Sequence, residues 1–294
     1  MHERRLELAS GLGLALLESG APGGRPLLLV HGFTGAKEDF ADHLDALAAR
    51  GWHCIAPDLR GHGASDQPLG RQSYGLRIFA ADVVALADAL GWSRFTLLGH
   101  SMGGMVAQHV ALDVGDRLGG LVLVDTSHGP PDGIDPAVVE LGKSIVASGG
   151  MAALVEATRE RDGVLATPAH DRLMATRPGY RAFGEAKTLA CSAEMWMALV
   201  DGLLHQPDRL EALAGLELAT LVVVGEQDDG FLDHSRRMAG AIGGARLAVV
   251  SDAGHSPQFE NPAGWFEAVA SFLDQLAEAG TVADETTPEP EERP

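Results

Sequence analysis

A short apolar run, Phe95-Thr96-Leu97-Leu98, meets the pentapeptide Gly99-His100-Ser101-Met102-Gly103 and then a helical pattern. A strand that turns directly into a helix strains the backbone of the residue at the corner, and glycines two before and two after it remove Cβ atoms that would otherwise collide. Such a corner lifts the Ser101 hydroxyl clear of the sheet. It also aims a helix N-terminus at whatever group reacts there, so backbone N–H groups and the helix dipole favour a developing negative charge. The pentapeptide is common as a bare pattern, so its weight depends on the rest of the chain.

The chain has 294 residues, 46% of them apolar, which suits one large core or a core domain carrying a smaller insertion. Its formal charge of −19 repels a phosphate backbone and an anionic lipid surface, so no nucleic acid and no membrane partner is expected. Residues Met1 to Leu8 lack the apolar stretch and cleavage site of a secretory signal, and no uninterrupted apolar run reads as long enough to span a bilayer. Cys54 and Cys191 have neither the spacing of a metal knuckle nor the number of a disulfide framework, and read as buried free thiols. The expectation is a soluble cytoplasmic protein.

Leu6 to Leu8 and Leu14 to Leu17 flank a glycine-containing turn and predict an antiparallel hairpin at a sheet edge. From there short apolar runs alternate with amphipathic stretches, as when parallel strands are joined by crossover helices. The predicted strands are Leu27 to Val30, Trp52 to Ala56, Phe95 to Leu98, Leu121 to Val124, Leu221 to Val224 and Leu247 to Val250. Helical spacing recurs at Phe40, Leu44 and Leu47 before Gly51, and at Leu76, Phe79, Val83, Leu86 and Leu90 before Gly91, each glycine sitting where a helix would end. Met102 to Val114 predicts the helix behind the serine, and Trp265 to Leu273 a last helix on the sheet. The class is α/β: a mostly parallel, doubly wound sheet.

One interval breaks the rhythm. Between Val124 and Leu221 no convincing strand appears, only helical stretches around Pro136 to Ser148, Met151 to Arg161 and Ser192 to His205. A crossover needs far less chain, so a helical lid is expected over the strand ends. The implied division is a core of residues 1–127 and 213–279, a lid at 128–212, and an acidic tail at 280–294 expected to be disordered.

A serine hydroxyl is a poor nucleophile near neutral pH until a positioned base takes its proton, and that base needs a third group to hold its tautomer. Two later strands end in suitable residues. Leu221-Val222-Val223-Val224 runs into Gly225-Glu226-Gln227-Asp228, and Leu247-Ala248-Val249-Val250 runs into Ser251-Asp252-Ala253-Gly254-His255. Parallel strands deliver such loops to one sheet edge, the edge of Ser101. Asp228 has rivals for the acid in Glu226, Asp229 and Asp125, the last directly after a strand. Val30-His31-Gly32-Phe33-Thr34-Gly35 follows the first parallel strand, so the N–H groups of Phe33 and Met102 are the predicted oxyanion donors. Asp58 to Ser65 reads as architecture, His62 as non-catalytic, and His100 as a pocket wall.

With these pieces assembled, the chain resembles the α/β-hydrolase superfamily, in its branch of small lidded serine enzymes. The matching stretches are His31 to Gly35, Asp58 to Ser65, Gly99 to Gly104, Gly225 to Asp228, and Ala253 to Pro257 with Glu260-Asn261-Pro262. The resemblance implies the α/β-hydrolase fold, Ser101 as nucleophile, His255 as general base, Asp228 as its orienter, and no cofactor or metal. An aspartate at position 101 would imply an epoxide hydrolase or haloalkane dehalogenase; the serine speaks against both. Asp229-Gly230 stands where relatives often carry a proline-containing turn.

Three functions follow as expectations. The first is hydrolysis of a small, fairly apolar carboxylic ester or lactone through an acyl-enzyme on Ser101. Lid residues from Met195 to Leu204, Trp196 among them, either line its pocket or bury the lid on the core. The second is C–C cleavage of a diketone acid, with Arg159, Arg161, Arg172, Arg177 and Arg181 as candidate carboxylate partners, or cofactor-free haloperoxidase or perhydrolase chemistry. The third is a ligand-binding protein of the same fold with little turnover.

Overall fold

A computed structural model describes residues 1–159 and 166–280. Its centre is an eight-stranded sheet. In chain order the strands are β1 (His2–Glu7), β2 (Gly13–Ser19), β3 (Arg25–Val30), β4 (Trp52–Pro57), β5 (Phe95–His100), β6 (Leu118–Val124), β7 (Thr220–Gly225) and β8 (Arg246–Val250). Across the sheet they run β1-β2-β4-β3-β5-β6-β7-β8. The β1–β2 and β2–β4 pairs are antiparallel, and all others are parallel. Every predicted strand is present, and the hairpin lies at the edge, with β1 starting four residues before and ending one residue before the apolar pattern alone suggested.

Both faces of the central strands are covered, which is why these strands read as continuous apolar runs. Leu28 and Val30 of β3 and Leu121 and Leu123 of β6 face α2 (Leu76–Ala89), α3 (Met102–Val114) and α9 (Asp229–Ala241). Leu27, Leu29, Val122 and Val124 face the other way, onto α1 (Ala41–Ala48) and α11 (Pro262–Glu278). Each fully buried leucine contributes about 2 kcal/mol, so the alternation fixes the register firmly.

Between β6 and β7 lie α4 (Pro136–Thr158), α5 (Pro168–Thr176), α6 (Tyr180–Leu189), α7 (Ala193–Leu204) and α8 (Leu210–Leu213), with α10 (Pro257–Glu260) following β8. The described residues of this interval contain no further strand. One expectation needs correcting. By length and composition α4 is apolar enough to span a bilayer, with a mean hydropathy of 1.4 over its most apolar window, only 22% of it buried. The sequence reading divides this stretch into two helical pieces, Pro136 to Ser148 and Met151 to Arg161, and the backbone turns sharply between them, Gly150 taking φ 68° and ψ −163°. Cys54 and Cys191 are buried free thiols, as expected. The segment 281–294, read as a disordered tail, and Arg161 lie outside the described residues.

Candidate active site

Ser101 stands between β5 and α3 at φ 53° and ψ −119°, a strained conformation for a residue with a side chain. The surroundings hold it there. Its N–H donates to the Val124 carbonyl (2.8 Å), and its carbonyl accepts from the Thr126 hydroxyl (2.7 Å) and the N–H of Gly104 (2.9 Å). The flanking glycines are required sterically: a Cβ on Gly99 would strike the Gly103 carbonyl, and one on Gly103 the carbonyls of Val30 and His31.

The loops after β7 and β8 are stitched together. Glu226 N–H donates to the Val250 carbonyl (2.9 Å) and Gln227 N–H to the Ala253 carbonyl (2.8 Å). This brings the predicted side chains into line. His255 Nε2 lies 2.8 Å from Ser101 Oγ, and its Nδ1 lies 2.8 Å from Asp228 Oδ2. A carboxylate at Nδ1 selects the tautomer whose Nε2 lone pair faces the hydroxyl, the arrangement by which an imidazole takes a serine proton.

Of the rivals to Asp228, Glu226 and Asp229 are exposed and do not face the histidine; Glu226 instead accepts the Asp252 N–H (3.2 Å). Asp125 is different. It is fully buried beside Asp228, with Oδ1 accepting the Gly225 N–H (2.8 Å).

The histidine loop has further supports. One oxygen of Glu260 accepts the N–H groups of Gly254 (2.6 Å) and Ser256 (3.2 Å), either side of His255. Burial raises the Glu260 pKa, while these two N–H groups oppose that shift. Sequence reasoning quoted Glu260 without a role; its place after the histidine was the signal.

His100 is a correction. It was expected to wall the pocket, yet it is buried behind Ser101, its Nε2 in contact with the His255 carbonyl (2.6 Å). Successive side chains at a strand end point to opposite faces, so sequence adjacency to Ser101 argued against a shared cavity. Burial lowers its pKa to about 4, so Nε2 keeps its proton for that carbonyl in a neutral ring.

His31 is likewise neutral at ordinary pH, its pKa lowered by burial to about 4. Its Nδ1 contacts the Gly32 carbonyl (2.8 Å) and its Nε2 accepts the Leu59 N–H (3.0 Å), tying the Phe33 loop to the Asp58 loop. In that second loop Asp58 accepts the N–H groups of Lys37 (2.8 Å) and Ala64 (2.9 Å), as an architectural element should. His62 is buried against His31, ring centroids 4.7 Å apart.

A cavity of about 390 Å³ opens over Ser101. Phe33 and Met102 flank the serine, and Met102, first residue of α3, has an N–H with no partner inside its own helix. The roof comes from Val138, Leu141 and Ile145 of α4 and from Trp196, Val200, Leu203 and Leu204 of α7. The apolar run of α7 therefore divides: Met195 and Leu199 are core, and the stripe starting at Trp196 faces the cavity. No charged side chain lines it among the described residues. Arg172 bonds the Asp252 carbonyl (2.6 Å), Arg177 pairs with Asp42 (2.8 Å), and Arg159 and Arg181 line a separate, smaller hollow.

Residues 25–163 match the family model described as the alpha/beta hydrolase fold. Epoxide hydrolase A of Mycobacterium tuberculosis is 35% identical over 114 residues, 39% of this chain but only 35% of that protein, so the chain matches about a third of that relative's length. Lipase 3 of Moraxella sp. is 28% identical over 263 residues, 87% of this chain and 80% of that protein. Among solved structures, a thermophilic esterase from Thermogutta terrifontis superposes with a TM-score of 0.79 at 28% identity, covering 94% of this chain and 99% of that one. The chain therefore has the α/β-hydrolase fold, its sequence matching the model of that fold over residues 25–163 and its structure following that of the esterase over nearly its whole length.

Proposed function

We propose that the protein is a serine hydrolase of neutral carboxylic esters or lactones with an apolar acyl group. The observation that carries this reading is the unbroken line from Asp228 through His255 to Ser101, with 2.8 Å at each step, opening on a cavity with no charged lining among the described residues. His255 takes the proton as Ser101 Oγ attacks the carbonyl, and the N–H groups of Phe33 and Met102 receive the oxyanion. His255 then returns the proton to the leaving alkoxide, leaving an acyl group on Ser101. Water enters by the same route in reverse: its proton passes to His255 as its oxygen attacks the acyl carbon, and the bond to Ser101 Oγ then breaks as His255 returns that proton to the serine, releasing the acid.

The serine at position 101 separates the chain from the carboxylate-nucleophile enzymes of its fold, despite the local match to an epoxide hydrolase. The apolar lining favours esters over diketone acids, because a substrate carboxylate would lose its water without gaining an arginine from among the described residues. The esterase and lipase relatives support the same choice.

A panel of p-nitrophenyl esters of increasing acyl length, run beside a dienol-diketone acid, tests the proposal. Turnover of the esters, with kcat/KM rising as the chain fills the cavity, supports it; turnover of the diketone acid alone overturns it.

A further inference from the structure

Asp125 was a rival for the triad acid, and the structure gives it a different place. It ends β6 at φ 43°, its N–H donating to the Val223 carbonyl (2.9 Å), next to the Thr126 that braces Ser101. Its side chain has no exposed surface. One carboxyl oxygen, Oδ1, is satisfied by the Gly225 N–H, but among the described residues no partner reaches Oδ2. A carboxyl oxygen of Asp125, one of Asp228 and a ring nitrogen of His255 all lie within 4.8 Å of one another.

Two carboxylates packed together in the protein interior do not readily both carry charge, and a buried oxygen with no donor is a costly orphan. One proton cures both defects. Asp228 is not its natural holder, since Asp228 Oδ2 already faces the His255 Nδ1–H. Building on the serine-hydrolase reading above, we propose that Asp125 is a neutral carboxylic acid whose Oδ2–H donates to the Asp228 carboxylate, making Asp125 a positioning residue. The pair then carries a single negative charge, located where the imidazolium of His255 forms. Burial first, and the neighbouring Asp228 second, raise the Asp125 pKa well above the ordinary carboxylate range. Glu260 adds to this from beside the histidine loop, and the Gly225 N–H opposes it.

The arrangement explains why a second acid beside the triad does not spoil it. An ionised Asp125 would repel Asp228 and over-stabilise the imidazolium, holding His255 in the protonated form that cannot accept the serine proton. As a neutral donor it fixes the rotamer of Asp228, adding to the orientation that the loop backbone supplies.

Infrared difference spectroscopy of wild type against Asp125→Asn tests this without any turnover. At about pH 8, where ordinary carboxyls are ionised, the spectrum should show loss of one protonated-carboxyl carbonyl band; loss of carboxylate bands alone overturns the proposal. Kinetics supply the second arm. Asparagine keeps both hydrogen bonds, so Asp125→Asn should leave the acid limb of the kcat/KM profile in place, whereas removing a genuine negative charge would move that limb down by about one pH unit or more. Asp125→Leu, with no donor, should lower kcat by about tenfold to a hundredfold with KM little changed. Equal losses in the asparagine and leucine variants would contradict the donor role. Should wild type prove inactive on every ester, the infrared band still decides the protonation state, so the two proposals fail separately.

Discussion

On the floor of the cavity, Ser101, His255 and Asp228 are held by hydrogen bonds from the ends of β5, β6, β7 and β8 and the loops after them, and buried histidines and carboxylates brace their backbones. The roof meets them with Val138, Leu141, Trp196, Val200 and Leu203, side chains that offer shape and little else. A floor of directional bonds tolerates few changes, because each buried polar partner left alone costs the full desolvation of its group. A roof held by dispersion and area gives way gradually, a methylene at a time. Chemistry should therefore fail through floor variants, and substrate preference should drift through roof variants.

The sharpest way to break that division is His255→Ala, which should reduce kcat on esters by about four orders of magnitude or more while the melting temperature changes little. Near-normal turnover would remove His255 from the floor's chemistry. Asp228→Asn should cost about a thousandfold to ten-thousandfold, since the amide favours the wrong imidazole tautomer. A larger loss from Asp125→Asn than from Asp228→Asn would exchange the roles of the two acids.

Backbone packing on the floor is tested by Gly103→Val, whose Cβ would meet the carbonyls of Val30 and His31. Urea unfolding should show a loss of about 3 kcal/mol, with unchanged stability contradicting the close approach. Acid attacks the same region more gradually. His31, His62 and His100 have folded pKa values lowered by burial to about 4, 3 and 4, against 6.5 for the free side chain. The unfolded chain therefore binds protons that the folded chain refuses. Their contribution is fully present above about pH 7 and is lost as pH falls through 6.5 towards 4. Thermal melts across that window should show a steady decline, and a His31→Gln variant a shallower one; equal slopes would contradict a neutral buried His31.

The smallest effect belongs to the roof. Trp196→Ala should lower kcat/KM for long acyl chains by about tenfold and leave acetate esters nearly unchanged. A uniform loss across chain lengths would mean that Trp196 supports the floor through Phe33, whose ring centre lies 6.0 Å away.

The same contrast explains what the sequence disclosed. The strands and the serine corner were legible because each is a run of apolar residues bounded by residues of special geometry, and Gly51 and Gly91 do end their helices at φ 86° and 78°. Helices α5, α6 and α9 were not foreseen. No residue of α6 is buried, so it has no apolar stripe to read, and α9 buries His234 and Ser235 among its core positions. Strand spacing alone left the rival acids open, since Asp125 and Asp228 each follow a strand of the same edge; the resemblance favoured Asp228, and the packing places it against the imidazole. His100 was misread because proximity along the chain was taken for proximity in the cavity.

The central claim is that Ser101 is an activated nucleophile, and covalent capture reads this directly. Treatment with a fluorophosphonate followed by peptide mass spectrometry should place one adduct on Ser101 in the native protein and none in the Ser101→Ala or heat-denatured protein. A native protein that stays unlabelled, or that carries the adduct on another residue, would contradict the account.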